Sequence, residues 1–79
     1  MTEHRTAPRH RVLKGGTITF NGAAFTCTVR NLSDAGAALD VGSPFGIPPA
    51  FTLVIDGENV GKPCHVVWRK EKRIGVAFD

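Results

Sequence analysis

The chain has 79 residues, 42% of them hydrophobic, with two cysteines and a formal net charge of +3. That length allows one domain with a small core, and that hydrophobic share excludes a disordered chain. No apolar run is long enough for a signal peptide or a membrane span, so a cytoplasmic protein is expected; a charge this small favours an anionic partner only weakly.

Residues 1 to 11 read as a flexible basic arm carrying His4, Arg5, Arg9, His10 and Arg11. Ala7-Pro8 disfavours a helix there, because the residue before proline is pushed toward extended conformations. The same segment also reads as an ordinary solvated terminus. Val12-Leu13 opens a first strand, Gly15-Gly16 is expected to interrupt it with a bend or bulge, and Thr17 to Phe20 resumes the alternation. Asn21-Gly22 is the strongest hairpin signal in the chain. A second strand over Ala23 to Arg30 returns antiparallel, and a third runs from Ala37 to Val41. Three prolines fill the loop Gly42 to Pro49, where Phe45 and Ile47 are expected to fold back over the core. Phe51 to Ile55 alternates as a fourth strand, Asp56-Gly57 suits a tight turn, and Glu58 to Pro63 reads as irregular. The fifth strand, Cys64 to Arg69, places Cys64, Val66 and Trp68 on its core face. A charged turn leads to the last strand, Ile74 to Phe78. No helical period is present. Six short antiparallel strands separated by turns predict an all-β fold, a small barrel over residues 12–79, since closure removes the exposed sheet edges.

Cys27 and Cys64 share the apolar parity of their strands and are expected to be buried thiols. Parity alone permits a disulfide, but nothing in the context supports one, and it leaves open whether the two are close in space.

The most informative stretch is Asn31-Leu32-Ser33-Asp34-Ala35-Gly36. Continuing the second strand in phase would bury Asn31 and Ser33 and expose Leu32, which is costly. A break in phase at Arg30-Asn31 turns Leu32 inward and sends Asn31 and Ser33 out on one face. Gly36 allows a positive φ or a close backbone approach. The expected product is a polar shelf at the barrel mouth. The same residues are also ordinary turn formers.

Arg5-x-x-x-Arg9, then a strand pair, then Asn31-x-Ser33-x-x-Gly36 resembles the two-part signature of the PilZ domain family, R-x-x-x-R followed by D/N-x-S-x-x-G. The resemblance covers nearly the whole chain, including Cys64 to Trp68 and Ile74 to Phe78 as the closing strands. It implies a six-stranded barrel that binds the bacterial second messenger cyclic di-GMP and needs no other cofactor. It implies that Arg5 and Arg9 grip phosphates and guanine faces, and that Asn31, Ser33 and Gly36 meet the barrel-side guanine and its ribose-phosphate. The chemistry suits the types: arginine forks match phosphate oxygens and stack on bases, and an amide and a hydroxyl supply donors and acceptors. His10, Arg11 and Arg30 are further candidate contacts, each also readable as a solvated surface group. Family members often carry a helix after the last strand. This chain reaches Asp79 with none, so a stand-alone receptor acting through a downstream protein partner is expected.

Two other readings compete. One is a barrel of this fold that has lost the nucleotide and works as a protein-interaction module; the intact arginine pair argues against it. The other is an RNA or single-stranded DNA binder, which would stack bases on exposed aromatics. Here Phe20, Phe25, Phe51, Trp68 and Phe78 all fall on core parity. Enzyme chemistry finds no support: Ser33 lacks a base, no carboxylate pair is placed in a cleft, and the histidines and cysteines lack metal-site spacing.

Overall fold

The computed structural model describes residues 10–43 and 45–79, with side chains from Val12 onward. Six strands follow in order: β1 (His10–Phe20), β2 (Ala23–Leu32), β3 (Gly36–Asp40), β4 (Ala50–Ile55), β5 (Lys62–Lys70) and β6 (Arg73–Phe78). All pairings are antiparallel, and the order β1-β2-β3-β6-β5-β4 closes into a barrel through the β1–β4 ladder. Ile18, Val29, Leu39, Leu53, Ile55 and Ile74, one or two from each strand except β5, are fully buried. Cys64 supplies the β5 contribution. Period-two alternation brings these side chains to the barrel interior, where their removal from water stabilises closure. Among the described residues there is no helix, and the last strand ends at Phe78.

The local signals explain most of the connections. Asn21 and Gly22 both adopt positive φ, 49° and 80°, between paired Phe20 and Ala23. Two successive left-handed residues define the primed turn whose twist matches antiparallel strands. Ile55 O accepts from Glu58 N at 2.9 Å, closing the Asp56-Gly57 turn. Glu71-Lys72 joins β5 to β6, with Lys70 paired to Arg73.

Several expectations need correction. The Gly15-Gly16 pair does not interrupt β1; both glycines sit in regular register with Thr28 and Cys27, and the shift lies between Arg11 and Lys14. The first strand starts at His10, so two residues of the expected arm are already in the ladder. β5 starts at Lys62, inside the segment expected to be irregular. Ile47 does fold back and is buried, but Phe45 is 86% exposed. Phe25 and Trp68 are also exposed, contrary to their parity. Phe25 instead stacks on Phe20, with ring centroids 5.4 Å apart. Trp68 has a specific cause: β5 is bulged, Val66 pairing with Val76 and Trp68 with the next residue back, Gly75. Val67 is the extra residue. Val66 packs against the core, and both Val67 and Trp68 then face outward.

Candidate functional site

The break in phase expected at Arg30 is present. Val29 pairs with Leu39 and Asn31 with Ala38, so Arg30 is a bulge residue against β3. Val29 is fully buried, Arg30 is exposed, and Leu32 packs against the core. Asn31 is thereby turned to the outer surface beside the β2–β3 connection.

Ser33 builds that connection. Its backbone N–H donates to Gly36 O at 2.9 Å, and its Oγ accepts from the N–H groups of Ala35 (3.1 Å) and Gly36 (3.2 Å). The hydroxyl proton points to Gly36 O, 3.4 Å away. A hydroxyl has one proton and two lone pairs, so the turn engages its whole capacity. Ala35 O accepts from Phe78 N at 2.8 Å and ties the turn to the end of β6. Gly36 has no positive φ. Its glycine character answers a close approach instead: a Cβ there would run into Val76 O across the β3–β6 ladder.

Asn31, Ser33 and Gly36 line one cavity of about 350 Å³, together with Ala37, Val76 and Trp68. Sequence reasoning missed Trp68. The indole lies over Gly75, where any Cβ would collide with its ring atoms, so the bare glycine on β6 seats the tryptophan on the outer wall. That cross-strand glycine was the available signal. The cavity therefore combines an amide, a turn with exposed backbone and an aromatic edge. Its volume is at the low end of the range of small-molecule sites, about 300–1,000 Å³.

Arg30 does not line this cavity. Its guanidinium stands 3.4 Å from Asp40, whose other carboxylate oxygen accepts from Arg73 Nε at 2.6 Å. Arg5 and Arg9 lie outside the described residues, as do the side chains of His10 and Arg11. The backbone of the last two is informative: His10 pairs with Leu32 and Arg11 with Asn31. The chain entering β1 thus starts beside the cavity. At roughly 3.6 Å per extended residue, Arg5 stays within about 18 Å of His10.

Cys27 and Cys64 are both free and buried. Burial pushes the Cys27 thiol up to about 11, with a smaller contribution from Asp56. Burial pushes Cys64 up to about 12, aided by Asp79 and by Cys27 itself. Both stay protonated near neutrality and are inert as nucleophiles. Among the described residues no group of histidines, cysteines and carboxylates could hold a metal ion.

The family profile described as PilZ domain matches residues 3–79. The structure is similar to the crystal structure of the PilZ domain of CeSA from a cellulose-synthesizing bacterium, with a TM-score of 0.70 at 18% identity. That match covers 91% of this chain and 80% of the other. Among curated proteins no sequence match is significant.

Proposed function

The chain belongs to the PilZ domain family, and from that membership we propose that it is a cytoplasmic bacterial receptor for cyclic di-GMP that passes the signal to a partner protein. PilZ domains are in general cyclic di-GMP-binding modules rather than enzymes. The observation that carries the reading is the pairing of Arg11 with Asn31, which roots the arginine-bearing segment next to the cavity of Asn31, Ser33 and Gly36.

In this reading the cavity takes one guanine and its ribose, and Arg5 and Arg9 close over the remainder. The Asn31 amide donates to and accepts from the base edge. Trp68 offers an aromatic face, and the arginine forks neutralise the two phosphodiesters and stack on the purines. Ser33 acts by holding the turn, and Gly36 by keeping β3 tight against β6. Ordering the arm costs conformational entropy, so affinity falls below what the contacts alone would give.

Titration calorimetry tests the proposal, with GTP as ligand control and Arg5→Ala/Arg9→Ala as protein control. Saturable binding of cyclic di-GMP, not reproduced by GTP and lost in the double variant, is the expected result. No heat at high micromolar ligand would leave the barrel as an interaction module without the nucleotide.

A further inference from the structure

A second cavity, of about 770 Å³, runs along the β5–β6 hairpin, where Lys70, Lys72 and Arg73 stand with Trp68, Asp40 and Val41. Through Val41 and Gly42, which line both, it meets a third hollow of about 300 Å³ walled by Phe25, Phe45 and Ile47. The two make one outer groove, basic at one end and apolar at the other. Phe45, the most exposed large apolar residue described, serves no part of the core.

We propose that this groove is the docking surface for a partner protein, and that it takes an extended acidic segment carrying an apolar or aromatic side chain. Charge selects the occupant. Arg30 and Arg73 share the single carboxylate of Asp40. Lys70 and Lys72 share the cavity wall with Glu71. Three cations, Lys70, Lys72 and Arg73, stand in the wall against two carboxylates, and Arg30 draws on Asp40 from outside it, so the basic end is left in need of anionic groups. The other end offers Phe25 and Phe45 as walls around buried Ile47, a hollow shaped for an apolar anchor. An extended segment spans both ends, because alternate side chains can enter the hollow while its carboxylates follow the lysines. Trp68 also lines the cavity of Asn31, so the groove adjoins the proposed nucleotide site. The groove's role as an output surface rests on the receptor reading; its capacity to bind a peptide does not.

The test is selection of random phage-displayed peptides of about twelve residues against the whole chain, counter-selected on Lys70→Glu/Lys72→Glu. Circular dichroism melts confirm that this variant folds, and Phe45→Ser provides a second variant at an exposed loop position. The expected consensus places Asp or Glu around one Phe, Leu or Trp. The synthetic consensus peptide shifts the amide resonances of Val41, Gly42 and Lys70 to Arg73. It binds roughly tenfold more weakly to the charge-reversal variant and several-fold more weakly to Phe45→Ser, as expected for lost anchors. No enrichment, a consensus without acids, shifts confined to Asn31–Ala38, or displacement by a single-stranded oligonucleotide would overturn the proposal. Calorimetry with cyclic di-GMP on the same protein keeps the two ideas separate. Peptide binding without nucleotide binding removes the receptor reading and leaves the groove, and the reverse result removes only the groove.

Discussion

β2 and β5 cross the barrel with the same device. Each carries a buried cysteine, Cys27 or Cys64, and each inserts one extra residue three positions later, Arg30 or Val67. Both bulges turn a side chain outward, Asn31 in one strand and Trp68 in the other, and both side chains line the same candidate cavity. The difference lies in how each bulge is encoded. In β2 the unbroken phase would bury Asn31 and Ser33 and expose Leu32, so the bulge is enforced by the cost of burying polar groups. In β5 the unbroken phase would bury Val66 and Trp68, which is equally acceptable to an apolar core. What admits the bulge is across the ladder: bare Gly75 accommodates the indole on the outer wall.

The sharpest way to break this comparison is at the two valines of β5. Val66→Asp places a carboxylate against the core and should cost about 3 kcal/mol or more. Val67→Asp, on the outer wall, should change stability by less than about 0.5 kcal/mol. Urea denaturation of the pair checks this. Equal losses would mean that β5 is not bulged.

The two cysteines sharpen the likeness between the strands. Both thiols ionise at higher pH in the fold, near 11 and 12, than their ordinary value of 9.0. Above pH 9 the unfolded chain releases these protons while the folded chain retains them, so stability is full below about pH 9 and falls as pH rises toward the folded values. By pH 10 the expected loss is on the order of 1 kcal/mol per thiol. Denaturation midpoints measured from pH 8 to 10.5 should show the extra fall, and Cys27→Ala/Cys64→Ala should remove it from a lower baseline. In the native protein at pH 8 neither thiol should react with an aromatic disulfide reagent until the barrel unfolds.

A loss confined to the β2–β3 turn is expected at Ser33. Ser33→Ala deletes the hydroxyl that accepts from Ala35 N and Gly36 N and should cost about 1 kcal/mol of stability. Cyclic di-GMP affinity should fall several-fold through the loosened turn. A variant with unchanged stability but abolished binding would show instead that the hydroxyl leaves the turn to meet the ligand.

The barrel was legible because its signals are local. Alternation marked all six strands, and Asn21-Gly22 marked its hairpin by the two positive φ values that the turn requires. The cavity was legible in part. Asn31, Ser33 and Gly36 do converge, yet Ser33 spends its hydroxyl within the turn, and Gly36 is required by Val76 rather than by a left-handed backbone. Trp68 was not legible from its own strand, because a bulge between apolar residues leaves no polarity error in the pattern. Phe45 was misplaced for a related reason: an apolar residue in a proline-rich loop carries no phase to say which way it points. The arginines of the N-terminal segment rest on motif spacing together with the position of the strand they enter.

On the proposed reading, the wall shared by β2, β3, β5 and β6 is a cyclic di-GMP surface closed by Arg5 and Arg9. Trp68 is the chain's single tryptophan, there is no tyrosine, and its indole borders the cavity. Its fluorescence therefore reports on that surface directly. Titration with cyclic di-GMP should give a saturable change in intensity and emission maximum, absent with GTP and abolished by Arg5→Ala/Arg9→Ala. A calorimetric binding isotherm with no change at Trp68 would contradict the account by placing the nucleotide elsewhere on the barrel.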